Sequence, residues 1–182
     1  LNDACAEASL EPPMYAGRDF PHGVVMAVEQ PDAVGIDRVL NVKAAFARAR
    51  RSCAVVDFGT AISISVADGQ GRFAGGAILP GLGLSLRALR DGTAFLPEVQ
   101  AVFPDAYVGR DTVGAIRAGV FYGAVGAARE IIARTEAAMG CDLDVYVTGG
   151  DACLLQPALS EAWRIEPLLT FEGLRLACDE NL

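Results

Sequence analysis

One histidine and one tryptophan occur in these 182 residues, and the five cysteines form no Cys-x-x-Cys pair. A lone imidazole, His22 in a Pro-His-Gly turn, removes most histidine-based metal and triad chemistry. The scattered thiols (Cys5, Cys53, Cys141, Cys153 and Cys178) support neither a disulfide framework nor a zinc centre, and fit reduced cysteines in a cytoplasmic protein. No apolar run is long enough to cross a bilayer, and the opening residues lack a signal-peptide pattern. Basic side chains are outnumbered 15 to 23, for a formal net charge of −8, which argues against nucleic acid or an anionic membrane as partner.

What the chain does have is apolar mass. Hydrophobic residues make up 52 %, enough for a sizeable core in one domain, or one domain plus part of another. Residues 1–10 have the pattern of a helix end broken by Glu11-Pro12-Pro13, and an extended piece is expected at 24–28. The chain opens mid-pattern at Leu1, so the reading expects earlier residues to be missing. A helix is expected from Gly35-Ile36-Asp37-Arg38 onward, with Val39, Leu40, Val42, Ala44, Ala45 and Phe46 as its apolar stripe. Three strands follow at 53–58, 61–67 and 72–78, the last two joined by an Asp-Gly-Gln-Gly turn. Helices are expected from Pro80-Gly81 to Gly92, from Asp111-Thr112 to about Ala138, at 151–161 and at 171–178. A buried strand is expected to end at Thr148-Gly149-Gly150, and a short one at 164–167. Three antiparallel strands followed by helix and parallel strand in alternation give a ribonuclease-H-like α/β lobe with a mixed sheet, as in actin- and hexokinase-type kinases. Residues 49–182 supply one complete C-terminal lobe, and 1–48 the remnant of a second, N-terminal one.

Several segments could carry chemistry, each with a plain alternative. Ala54-Val55-Val56-Asp57-Phe58-Gly59-Thr60-Ala61 ends a buried strand in an acid, a glycine and a hydroxyl, which suits a metal-neutralised phosphate chain. An ordinary hairpin has the same residue types. Asp37 is a candidate general base beside Arg38, a bidentate anion ligand, and it is equally a helix N-cap. Gly75-Gly76 through Gly81 is either a backbone wall for a ligand or tight strand-to-helix packing. Gly109-Arg110-Asp111-Thr112 offers an anion or alcohol site at a helix start, or simply a cap. Gly149-Gly150 could admit a nucleotide base or turn into a helix. Gly119, Gly123 and Gly126 on one flank of the long helix permit another backbone to approach.

Together with Thr93-Ala94-Phe95-Leu96-Pro97, these segments occur in an order that closely resembles type III pantothenate kinase, from about Pro31 to Ala152. The resemblance implies ATP-dependent phosphorylation of the primary hydroxyl of pantothenate, the first step of coenzyme A synthesis, by a cytoplasmic homodimer. It implies Mg²⁺ and a monovalent cation, K⁺ or NH₄⁺. Carried over by motif, Asp37 is the proton acceptor, and Gly35, Ile36, Asp37, Arg38 and Thr112 contact pantothenate. Gly59, Thr60, Gly149 and Gly150 face ATP, and Asp57 takes the monovalent cation. The family's Asp-x-Gly-Asn-Thr phosphate loop has no counterpart in these residues and is expected upstream of Leu1. Val28 stands where the family has tyrosine; Ser63 and Ser65 stand where it has Thr and Asp. The alternative from another class is a non-catalytic kinase-like binding or regulatory protein of the same family.

Overall fold

The computed structural model describes residues 13–181, so the helix end expected at 1–10 lies outside the described residues. A five-stranded mixed sheet organises them, with strands β1 (Cys53–Phe58), β2 (Ala61–Ala67), β3 (Phe73–Pro80), β4 (Asp144–Thr148) and β5 (Arg164–Ile165) in the order β3-β2-β1-β4-β5. The first three pair antiparallel, whereas β4 runs parallel to β1 and β5 parallel to β4. Helices α1 (Ile36–Ala49), α2 (Leu82–Asp91), α3 (Thr112–Met139), α4 (Ala152–Leu155) and α5 (Leu169–Asn181) complete the fold. This is the ribonuclease-H-like lobe expected from the element order, with its long crossover through α2 and α3 supplying the parallel partner of β1.

Period-two alternation sorts the strand side chains between two layers. Ala54, Val56 and Phe58 of β1, with Ile62, Ile64 and Val66 of β2, pack on α3 through Phe121, Val125, Ala128 and Ile132. Cys53 and Val55, with Ala67, Phe73 and Tyr146, pack on the opposite side against Val42, Ala44 and Ala45 of α1 and Leu169 of α5. Both faces of β1 are thus buried, as the Ala-Val-Val run requires.

Four expectations shift. Residues 24–28 form no full strand: Ala27 N–H donates to the Phe73 carbonyl at 2.9 Å and Phe73 N–H to Val25 at 2.9 Å, leaving one isolated bridge beside β3. The helix expected at 151–161 stops at Leu155 and passes into a 3₁₀ turn, Gln156–Ala158, because Pro157 cannot donate to a continuing α-helix. The last strand is cut to two residues, with Pro167 just beyond it, and α5 is longer than expected at both ends.

Helices α1 and α5 come into backbone contact at Gly173. A Cβ there would lie 2.0 Å from the Leu40 carbonyl oxygen, so only glycine permits the approach. By contrast a Cβ on Gly126 of α3 would meet nothing within 4 Å. We expect Gly173→Ala to destabilise by about 1–3 kcal/mol through overpacking, while Gly126→Ala is neutral or stabilising by up to about 1 kcal/mol. Urea unfolding of the two variants checks this; equal stabilities would refute the contact.

Candidate functional site

The C-terminal end of β1 gathers the chemistry. Alternation turns Asp57 to the side of α1 and α5, behind Val55 and Cys53. Its Oδ2 accepts a hydrogen bond from Asn41 Nδ2 at 3.2 Å, and Asn41 Oδ1 in turn accepts from Thr170 Oγ1 at 2.7 Å. Asn41 is only 1 % exposed. Burial raises the Asp57 pKa above the usual carboxylate value; the Asn41 bond pulls it down, and the nearby Asp37 carboxylate adds to the rise. The Asp37 charge, on the first turn of α1, is therefore felt by Asp57 at the end of β1.

Asp37 is not the cap of α1. Gly35 occupies the N-cap position and no side chain caps the helix. The Asp37 carboxylate is exposed, with Oδ1 curled back to 2.5 Å from where a Gly35 Cβ would be. That leaves it available to an incoming hydroxyl. Arg38 turns the other way, over the sheet: Nε donates to Ser65 Oγ at 3.1 Å and Nη2 to the Ile64 carbonyl at 3.3 Å. Its guanidinium carbon lies 5.5 Å from the centroid of the Phe73 ring. Burial lowers the Arg38 pKa and the Asp37 charge opposes that. Both hydrogen-bond partners are neutral. Ile36 packs against the Gly17 turn, its Cδ1 3.2 Å from a Cβ built there.

The hairpin turn after Asp57 is closed by Gly59 N–H donating to the Ala61 carbonyl at 3.2 Å, with Thr60 exposed at its tip. Gly81 N–H donates to the Thr60 carbonyl at 3.1 Å, and a Cβ on Gly81 would fall 2.1 Å from the Gly59 oxygen. The small residue at Gly81 thus serves packing of β3 and α2 on the turn, which was the plainer of its two sequence readings. At the end of β4, Gly149 has φ +97°, and a Cβ there would lie 2.5 Å from Asp57 Oδ1 and 2.4 Å from the Phe58 carbonyl oxygen. Only glycine therefore lets the loop after β4 lie directly against the second Asp57 oxygen and the Phe58 carbonyl. Asp151 N–H donates to the Phe58 carbonyl at 2.9 Å, tying this loop to β1, and Gly150 faces open space.

Thr112 stands apart from this mouth, on the α3 side of the sheet. Asp111 caps α3, accepting from Gly114 N–H at 2.7 Å, and Thr112 is exposed one residue later. It borders an apolar groove of about 780 Å³ between α2 and α3, lined among others by Ile62, Leu79, Leu89, Ile116, Gly119 and Gly123. Among the described residues none fills the space at Gly119, Gly123 or Gly126. Among the described residues no three His, Cys, Asp or Glu side chains gather to hold a metal, and no helix is long and apolar enough to cross a membrane.

Two members of the site escaped the sequence reading. Asn41 interrupts the apolar stripe of α1 one turn after Asp37, and that polar break was its signal. Thr170 belongs to a segment with no local motif, and only the docking of α5 brings it to Asn41.

Comparison with known proteins gives a consistent outcome. The family model described as type III pantothenate kinase matches residues 1–134. A type III pantothenate kinase of Anaeromyxobacter dehalogenans (strain 2CP-C) is 38 % identical over 181 residues, covering 100 % of this chain and 71 % of that protein. One from Moorella thermoacetica is 38 % identical over 169 residues, covering 93 % of this chain and 66 % of that protein. Among solved structures, a Campylobacter jejuni protein assigned to the Baf family of transcriptional activators superposes with TM-score 0.65 at 24 % identity, over 88 % of this chain and 70 % of that one. An activator of 2-hydroxyisocaproyl-CoA dehydratase from Clostridium difficile, with bound ADPNP, gives TM-score 0.50 at 12 % identity over 79 % and 66 %. At those identities the two structures bear on the fold alone.

The half-buried Asp57 carries a stability signature. Its folded-state pKa is raised, so the folded chain binds the proton more tightly than the unfolded one. The ionised carboxylate therefore costs stability above the folded pKa, and the cost disappears below the unfolded value near 4. Without nucleotide or added cation, Asp57→Asn should raise the melting temperature at pH 7, and the gain should shrink as pH falls toward 4. A gain independent of pH, or a loss at pH 7, would contradict this.

Proposed function

The chain belongs to the type III pantothenate kinase family, whose members phosphorylate pantothenate in coenzyme A biosynthesis, and from that premise we propose how its residues divide the transfer from ATP. The observation that supports the reading is that the Asp37 charge is felt at Asp57: one acid is exposed, the other half-buried and hydrogen-bonded. Phosphoryl transfer asks little covalent chemistry of a protein and much positioning. Asp37 accepts the proton of the pantothenate primary hydroxyl as its oxygen attacks the γ-phosphorus of ATP, the bond to the bridging oxygen breaks and ADP leaves. Uncapped and solvent-facing at a helix mouth, its carboxylate has room for that alcohol. Arg38 is braced by Ser65 and the Ile64 carbonyl, and holds an anionic group of the substrate or the transferring charge. Gly35 and Ile36 shape the same pocket wall.

Gly59 and Thr60 bring backbone and hydroxyl to the phosphates, and the turn at Gly149 and Gly150 lets the nucleotide lie close to the chain. Asp57 takes a monovalent cation, K⁺ or NH₄⁺, through Oδ1, the oxygen that Asn41 leaves unoccupied. A carboxylate is a hard-oxygen donor that suits such an ion, as well as a Mg²⁺ held mainly by phosphate. When bound, these cations neutralise charge on the triphosphate. Asp37→Asn is expected to lower kcat by about 10²–10⁴-fold with the pantothenate KM little changed, measured by phosphopantothenate formation in the full chain. Retention of more than a tenth of the activity would remove Asp37 as the proton acceptor.

The protein works as a homodimer through the groove between α2 and α3. Open glycines at 119 and 123 and an apolar lining suit the backbone of a second copy, and Thr112 at the edge of the groove would then face a neighbouring pantothenate site. Sedimentation equilibrium should give a dimer for the wild type and a monomer for Gly123→Glu. An unchanged dimer in the variant would place the interface elsewhere.

A further inference from the structure

Asn41 is an expensive residue where it stands. It lies on the apolar stripe of α1 between Leu40 and Val42, and an amide buried there costs stability unless both its ends are hydrogen-bonded. Both ends are: Nδ2 reaches Asp57 Oδ2 at 3.2 Å, and Oδ1 receives Thr170 Oγ1 at 2.7 Å. The orientation is fixed by chemistry. An ionised carboxylate only accepts, so the NH₂ end must face Asp57, and the hydroxyl of Thr170 satisfies the oxygen end by donating. A flipped amide would set oxygen against oxygen at Asp57.

Thr170 is held in turn by the docking of α5, whose Gly173 lies against the Leu40 backbone one turn further on. The result is a buried relay from α5 through α1 to the end of β1. It occupies one oxygen of Asp57 and leaves the other, Oδ1, without a side-chain donor among the described residues, beside the Gly149 backbone.

We propose that Asn41, locked by Thr170, is a positioning residue that fixes the rotation of the Asp57 carboxylate so that Oδ1 faces the cation site. This inference rests on the assignment of Asp57 to the monovalent cation. With Thr170 silenced, Asn41 loses its anchor and the carboxylate can rotate, so cation affinity falls although no ligand has been removed.

The test titrates KCl against choline chloride at constant ionic strength. It uses the full chain with Mg²⁺ and a non-hydrolysable ATP analogue, and reads the K⁺-dependent rise in melting temperature. Thr170→Val keeps shape and removes the hydroxyl; Thr170→Ala is a second version of the same loss; Thr170→Ser restores the donor. The half-saturating K⁺ concentration should rise on the order of five-fold in the Val and Ala variants, the worth of one neutral hydrogen bond, and return to the wild-type value in the Ser variant. Asp57→Asn should abolish the K⁺ response. If Asp57→Asn abolishes it while Thr170→Val and Thr170→Ala merely lower the melting temperature without moving the K⁺ midpoint, the relay is only core packing and the inference falls alone. If the wild type shows no K⁺ response, or Asp57→Asn retains it, the cation assignment falls and the relay with it.

Discussion

The arrangement of this lobe depends on a carboxylate placed where water is scarce. Asp57 ends the central strand of the sheet, flanked by an antiparallel neighbour and a parallel one, with α1 and α5 closing over it. Burial disfavours its charge, and the neighbouring Asp37 disfavours it further. A single side-chain hydrogen bond from Asn41 acts in the other direction. The balance raises its pKa above the usual carboxylate value, so proton binding at Asp57 is coupled to the stability of the fold.

The same economy appears in the backbone. The loop after β4 is tied to the end of β1 through Asp151 and Phe58, and the start of α2 to the β1–β2 turn through Gly81 and Thr60. Neither tie uses a long side chain. Both rely on glycines, which allow main chains to meet within hydrogen-bonding distance, so the turns that would face phosphates are fixed by rigid elements on either side. Rigid placement is what phosphoryl transfer needs from a protein, since its rate depends on alignment more than on any covalent partner.

Much of this was legible in the residues. The strand boundaries of β1 and β2 and the start of α3 followed from β-branched runs, a Gly-Thr turn and an Asp cap, all local signals. Where reading failed, the deciding contact was distant in sequence. Asp37 looked like a cap because acids at helix starts commonly are; the structure gives that position to Gly35, and nothing between residues 30 and 40 announces it. Residues 24–28 looked like a strand, but their partner is only the start of β3 and the pairing stops after one bridge. The helix after Gly150 is shorter than its composition suggests, because Pro157 turns it into a 3₁₀ segment. Thr170 could not have been found at all, since its partner is 129 residues away.

Arg38 shows how a departure from the expected pattern acquires meaning. Ser65 stands where the resemblance expects an acid, and its hydroxyl, 2 % exposed, accepts from Arg38 Nε. The second acceptor is a carbonyl. Two neutral acceptors orient the guanidinium without cancelling its charge, so among the described residues no carboxylate forms an ion pair with it. In a chain of net charge −8, that leaves a guanidinium over the sheet that feels the charge of the neighbouring Asp37. The serine therefore keeps the arginine in place without neutralising it.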